Sequence, residues 1–212
     1  IFVQDEEGGE ERVFLDPNAL SDDGTVTANL SGASPDGRYV VEVRNAAGSD
    51  WQEMRVLDLE TGETTGEVLE WVKFSGASWV DGGFYYSRYP APEGSAYSAE
   101  NTFHSVYFHK VGTPQSEDEL VFRNNNEPNR YHFAGTTEDG KYVVLNTSTG
   151  TDGNSLHVKS LNEEGAEWAP IVDGFTHHSS VVEHVHGELY MLTDIDAPRY
   201  RLVAVDPADP SN

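Results

Sequence analysis

The residues able to do chemistry are few and poorly spaced for it. Eight histidines occur in 212 residues, and the only clusters are His177-His178 and the pair His184/His186, with Glu183 and Asp173 nearby. On a strand, His184 and His186 project to the same face, as a two-histidine metal site requires. No third ligand follows at a useful spacing and no His-Glu-x-x-His string occurs, so these are read as solvated or packed histidines. Asp194/Asp196 and Asp206/Asp209 lack the Gly-anchored loop and closing Glu of a calcium loop, and are read as surface acids. Neither a metal nor a cofactor is expected. A hydrolase nucleophile raised on a sharp strand-to-helix turn should appear as Gly-x-Ser-x-Gly. No such string is present; the nearest imitation is GASPDG, whose Ser34 precedes a proline and a hairpin glycine, which is turn chemistry. Lacking the serine, its histidine base and the oxyanion amides, the segment is not expected to cut peptides by that mechanism itself.

Charge narrows the partners. With 37 acidic against 13 basic residues the net charge is −24, and the few cations form no patch that could hold phosphates, so nucleic acid is not an expected partner. Only four lysines occur (Lys73, Lys110, Lys141, Lys159) while the acids are scattered, a pattern that suits adaptation to high salt. A melting temperature that fails to rise between low and molar salt would remove that reading. Absence of cysteine rules out disulfides and thiolate metal sites and fits a reducing compartment, so a cytoplasmic location is expected, with the periplasm as the alternative. No run approaches the roughly 18 apolar residues of a membrane span, and no basic start leads into an apolar core, so no membrane partner is expected.

Whatever chemistry exists must be positioned by strands. The 20 glycines and 10 prolines suit short strands and tight turns rather than long helices. Self-similarity is visible: GASPDGRYVVEV (32–43), GASWVDGGFYYSR (76–88), GTTEDGKYVVLN (135–146) and VEHVHGELYMLT (182–193) each read as strand, glycine turn, alternating strand. Their turn glycines Gly37, Gly82, Gly140 and Gly187 recur at intervals of 45, 58 and 47 residues, the period of propeller blades. Asp-Gly in three of these turns predicts two-residue hairpins with positive φ at both central positions, and His186-Gly187 is a weaker version. A third alternating strand follows each hairpin (54–63, 105–113, 156–165, 200–210), and a fourth follows in ELVF (119–122) and APIVD (169–173). The expected fold is an all-β β-propeller portion of about four four-stranded antiparallel blades, with segments near 1–26, 27–70, 71–123, 124–174 and 175–212. The first and last are expected to be incomplete. Because IFVQDEEGGEERVFLDP opens directly as strand, turn, strand, the chain is read as a piece of a longer polypeptide.

Several strings exceed what blade grammar demands. VFLDPNALSDDGT (13–25), GSDWQEMRVLDLETGE (48–63), EVLEWVKFSGASW (67–79), VYFHKVGTPQSEDELVF (106–122) and APRYRLVAVDPADP (197–210) resemble, in the same order, the prolyl oligopeptidase family. The resemblance implies roughly the first half of a seven-bladed propeller inserted into an α/β-hydrolase domain. The whole would be a serine peptidase that hydrolyses short peptides after proline. The propeller would gate access, with short proline-containing peptides and the hydrolase domain of the same polypeptide as partners and a monomer as the expected state. A relative preferring basic residues and a non-catalytic propeller scaffold are the rival readings.

By the same resemblance Phe74, in WVKFSGASW, is implied as an apolar wall of the substrate pocket, against the alternative of a core aromatic between blades; Trp79 is read as core. Tyr131 is implied as a further aromatic wall. The segment Ser148 to Thr151 matches a substrate-contacting stretch, although Ser148 stands where the family often has arginine. The polar insertion 89–103, YPAPEGSAYSAENTF, is expected to be a surface loop, and the resemblance places it near the interface of the two domains, where it would help to gate entry.

Overall fold

Short apolar–polar alternations bounded by Gly, Asp and Pro leave the backbone little alternative to a meander of strands. The computed structural model describes residues 1–4, 6–46, 48–94 and 100–210. A two-stranded ribbon, β1 (Phe2–Val3) and β2 (Arg12–Val13), precedes three four-stranded antiparallel sheets. The first holds β3 (Val26–Ala33), β4 (Tyr39–Ala46), β5 (Gln52–Asp58) and β6 (Thr64–Val72). β7 (Ser78–Val80), β8 (Gly83–Arg88), β9 (Ser105–Lys110) and β10 (Glu119–Phe122) form the second. The third holds β11 (Tyr131–Thr136), β12 (Tyr142–Ser148), β13 (Asn154–Ser160) and β14 (Ala169–Val172). A three-stranded sheet of β15 (Ser179–Val185), β16 (Glu188–Thr193) and β17 (Arg201–Val205) closes the chain. In every sheet each strand pairs with its sequence neighbour, which is the order of a propeller blade. One residue pair, Val72 with Arg88, bridges the first two blades. Among the described residues helix is limited to two 3-10 turns, Pro17–Ala19 and Gln115–Glu117, and no helix is long and apolar enough to cross a membrane.

Blades stack because their strands are apolar on both faces. Phe84 and Tyr86 point from β8 to the seam with Val41, Val43, Met54 and Leu69, whereas Tyr85 between them points to the next seam, with Val143 and Leu145. Val144 again faces the other way, joining Leu156, Val158, Leu189 and Met191. The two-residue period of a strand therefore sends alternate side chains of one run into different hydrophobic layers. Trp79 is buried in the first seam against Phe84, 4.8 Å between ring centroids. Hydrogen bonds stitch the seams as well. Ser78 and Ser87 hydroxyls donate to the carbonyls of Ala134 and His132, both at 2.8 Å, and Asn154 exchanges two bonds with the backbone of Ser179.

The turns depart from the sequence expectation. Among the four, only His186-Gly187 has both central residues at positive φ, 55° and 89°. In the Asp-Gly turns only the glycine does; Asp81-Gly82 keeps the two-residue loop between Val80 and Gly83, whereas Asp36 and Asp139 are used for something else. The Ser34 hydroxyl donates to Asp36 Oδ1, which also accepts the Arg38 amide, while the Ser34 amide donates to the Tyr39 carbonyl. Thr137, Asp139, Lys141 and Tyr142 repeat the pattern one for one. Side-chain capping thus replaces the two-residue turn with a longer loop in these two blades. His186, being in a turn, does not share a strand face with His184. His184 is instead buried, its Nδ1 2.7 Å from Asp139 Oδ2 across the seam.

Candidate functional site

Antiparallel alternation divides the molecule into two rims. Turns 34–38, 81–82, 137–141 and 186–187 lie at one, here the turn rim. Loop residues 73–77, 89–94, 100–104, 123–130, 149–153, 173–178 and 194–200 lie at the other, the loop rim. Of the six non-glycine residues at positive φ, five (Trp71, Phe74, Phe103, Asp196, Tyr200) fall at the loop rim among the described residues. For a bulky side chain that conformation costs about 1–2 kcal/mol, so it persists only where surrounding contacts impose it. Strain concentrated on one rim marks that rim as the one shaped for something other than stability.

The contacts that impose it are aromatic and polar. Phe74, φ 55°, is 57% exposed and meets Tyr131 edge-to-face at 6.1 Å. Tyr131 and Phe133, two residues apart on β11 and so on one face, have parallel rings 6.4 Å apart. His104 packs against Tyr89, Phe133 and Tyr131 at 4.8, 5.1 and 5.8 Å. The group continues through Tyr89 to Trp51 at 6.1 Å and from Trp51 to Trp71 at 5.6 Å, with Lys73 Nζ 4.2 Å above the Trp51 ring. One aromatic pair contributes about 0.5–1.5 kcal/mol, no more than the backbone strain at Phe74. Hydrogen bonds supply the remainder: Ser75 Oγ accepts the Ser87 amide at 2.7 Å, and the Ala77 amide donates to Ser31 Oγ at 3.0 Å. Phe74 is therefore an exposed aromatic on a pinned loop.

Buried polar groups lie directly beneath. Burial pushes the His104 imidazole down to about 4, and burial, then His104 and Arg130, push His132 down to about 4. Both rings are neutral near pH 7. The Tyr89 hydroxyl is pushed up to about 12 by burial, with Tyr131 adding to it. The result is a largely apolar platform around Phe74 and Tyr131, with the Lys73 ammonium at its Trp51 end, that can hold an apolar or aromatic ligand group.

Of the residues singled out by sequence, Phe74 and Tyr131 are brought into contact, and Phe74 is exposed within this chain. Ser148 is the register partner of Tyr131 at the end of β12. Thr151 is exposed in the next loop, where Gly153 approaches the backbone of 175–177 so closely that a Cβ would lie 2.6 Å from three backbone atoms. Within the 89–103 insertion, 95–99 lie outside the described residues; Tyr89 and Phe103 anchor its ends. His177 Nδ1 is 3.1 Å from Asp194 Oδ1, and among the described residues no group of three or more His, Asp or Glu is arranged to hold a metal. Sequence reasoning missed Tyr89, His104 and Phe133. Phe133 was signalled by its two-residue spacing from Tyr131; His104, alone before β9, carried no local signal.

Comparisons with known proteins agree with this geometry. The family model described as the prolyl oligopeptidase N-terminal β-propeller domain matches residues 1–212. The prolyl endopeptidase of Elizabethkingia meningoseptica is 39% identical over 99% of the chain and 30% of its own length. The dual function macrocyclase-peptidase POPB of Galerina marginata is 32% identical over 92% of the chain and 29% of its own length. Among solved structures, prolyl oligopeptidase B from Galerina marginata bound to a 25mer macrocyclization substrate superposes with a TM-score of 0.86 at 28% identity, covering 96% of this chain and 31% of that one. The chain thus spans under a third of the length of these relatives. By sequence match along its full length and by blade topology, the chain belongs to the prolyl oligopeptidase family, as part of its N-terminal β-propeller domain.

Proposed function

We propose that this chain is the propeller part of a serine peptidase that hydrolyses short peptides after proline, and that its loop rim forms one wall of the substrate pocket while an α/β-hydrolase domain in the same polypeptide breaks the bond. The observation that carries the reading is Phe74: a large apolar side chain, more than half exposed, held at a strained φ over Tyr131. Free energy spent to present an aromatic to the outside has a rationale when a ligand covers it. Proline-containing peptides suit such a wall, since pyrrolidine rings pack on aromatic faces and leave no amide hydrogen unsatisfied there. Ser148 and Thr151 flank the wall as polar contacts for the peptide.

The test is kinetic. In the full-length protein, a chromogenic peptide carrying Gly-Pro before the scissile bond is cleaved, and Phe74→Ala raises KM about tenfold with little change in kcat, as removal of ground-state binding predicts. Absence of cleavage would leave a binding scaffold as the better reading. Cleavage with KM unchanged in Phe74→Ala would remove Phe74 from the pocket.

A further inference from the structure

His104 stands where the two proposed wall residues meet, and both of its ring nitrogens are committed. Nδ1 lies 3.0 Å from the backbone nitrogen of His132, and Nε2 lies 3.1 Å from the backbone carbonyl of Lys73. An amide N–H only donates, so Nδ1 accepts; a carbonyl oxygen only accepts, so Nε2 carries the proton. The ring is 1% exposed and therefore cannot exchange either bond for water. Lys73 directly precedes Phe74 in the 73–77 loop between the first and second blades, and His132 directly follows Tyr131 on β11 of the third.

Resting on the functional reading above, we propose that His104 is a positioning residue that sets the separation and orientation of Phe74 and Tyr131, and through them the affinity of the pocket for peptide. It reaches the two walls from a third element, the end of the 89–104 loop, as a bridge of fixed length between two backbones. Its planar ring cannot stretch as a chain of rotatable bonds can. Burial keeps the imidazole in its neutral form, the only form with one donor and one acceptor. Asparagine and glutamine also carry a donor and an acceptor, but the amide of each cannot reach both backbones at once. Asparagine places an amide oxygen near the position of Nδ1 and does not reach Lys73. Glutamine places its amide nitrogen near that of Nε2 and keeps the bond to Lys73, but leaves the His132 amide without its acceptor.

The experiment uses the full-length protein and the Gly-Pro chromogenic peptide. His104→Asn, which loses the bond to Lys73, and His104→Gln, which loses the bond from the His132 amide, each raise KM about fivefold with kcat within about twofold. Placing His104→Asn in a Phe74→Ala background raises KM by less than it does in the wild-type background, because one of the two walls it positions is gone. KM unchanged in either variant, with or without a loss of thermal stability, or additivity with Phe74→Ala would each overturn the proposal. Nitrogen NMR of the wild-type protein supplies a reading that depends on no variant and no substrate. The Nε2–H tautomer of His104 is expected, and Nδ1–H overturns the bridge. A wild-type protein that shows the Nε2–H tautomer and cleaves no prolyl bond overturns the functional reading and leaves the bridge standing.

Discussion

The two rims of these blades are built from the same strands and solve opposite problems. At the turn rim, polar side chains fold back on their own backbone: Ser34 with Asp36, Thr137 with Asp139, and Asp58 accepting the amides of Glu60 and Thr61. Every such bond is local and asks nothing of a partner molecule. At the loop rim, bulky residues take up positive φ, aromatic rings stand in the open, and two histidines are buried neutral beneath them. The contrast teaches that strain is placed where a ligand surface is needed, while capping is placed where only the chain must turn.

Acid separates the rims most strongly. Above pH 6.5 the two buried histidines are neutral in folded and unfolded states alike. As the pH falls from 6.5 to about 4 the unfolded state takes up protons that the folded state refuses, so stability present above 6.5 is lost across that window. The loss is on the order of 3 kcal/mol for each ring. Asp139 behaves otherwise: burial opposes its charge, but bonds from His184, Thr137 and Lys141 prevail and hold its carboxyl well below the ordinary 3.8, so its contribution persists above that value and is lost only on further acidification. Hydrogen exchange on lowering the pH is therefore expected to show amides around His104 and His132 losing protection before those of the 137–142 turn. Simultaneous loss would break the comparison.

Gly153→Ala is the next largest, about 3 kcal/mol of destabilisation measured by denaturant unfolding, since the new Cβ meets three backbone atoms at 2.6 Å. At the opposite rim, Asp139→Ala removes acceptors from Thr137, Lys141 and His184 and costs about 2 kcal/mol, with the kinetic constants of the full-length protein untouched. A change in KM there would deny the turn rim its purely structural role. Smallest in stability is Phe74→Gly, expected to stay within about 1 kcal/mol of wild type because relief of the positive φ offsets the lost ring contact with Tyr131, while peptide binding weakens. Stability and affinity moving together in that variant would contradict the assignment of strain to function.

Much of this was legible in the linear chain. Recurrent glycines at Gly37, Gly82, Gly140 and Gly187, with Tyr-Val-Val runs after two of them, announced repeated hairpins, and the VKFS and QSED strings announced the family. The strand Thr64–Val72 was harder to see, because its apolar positions overlap the family string rather than a clean alternation. Turn geometry was misjudged where it depended on a side chain: Asp36 and Asp139 look like entries into tight turns but act as acceptors for amides two residues on. Phe74 and Tyr131 could be named one by one from resemblance, yet nothing in the sequence joined them.

What the sequence alone determined is what depends on near neighbours: strand period, turn positions, the face each side chain takes, and the lack of a serine nucleophile elbow, all of which are properties of adjacent residues. Only the tertiary structure decided that residues 74, 104 and 131, from the loop between the first two blades, from within the second blade and from the third, form one platform. Their contacts span 27 to 57 positions along the chain, and such separations are closed by the packing of whole sheets, whose register no local pattern encodes.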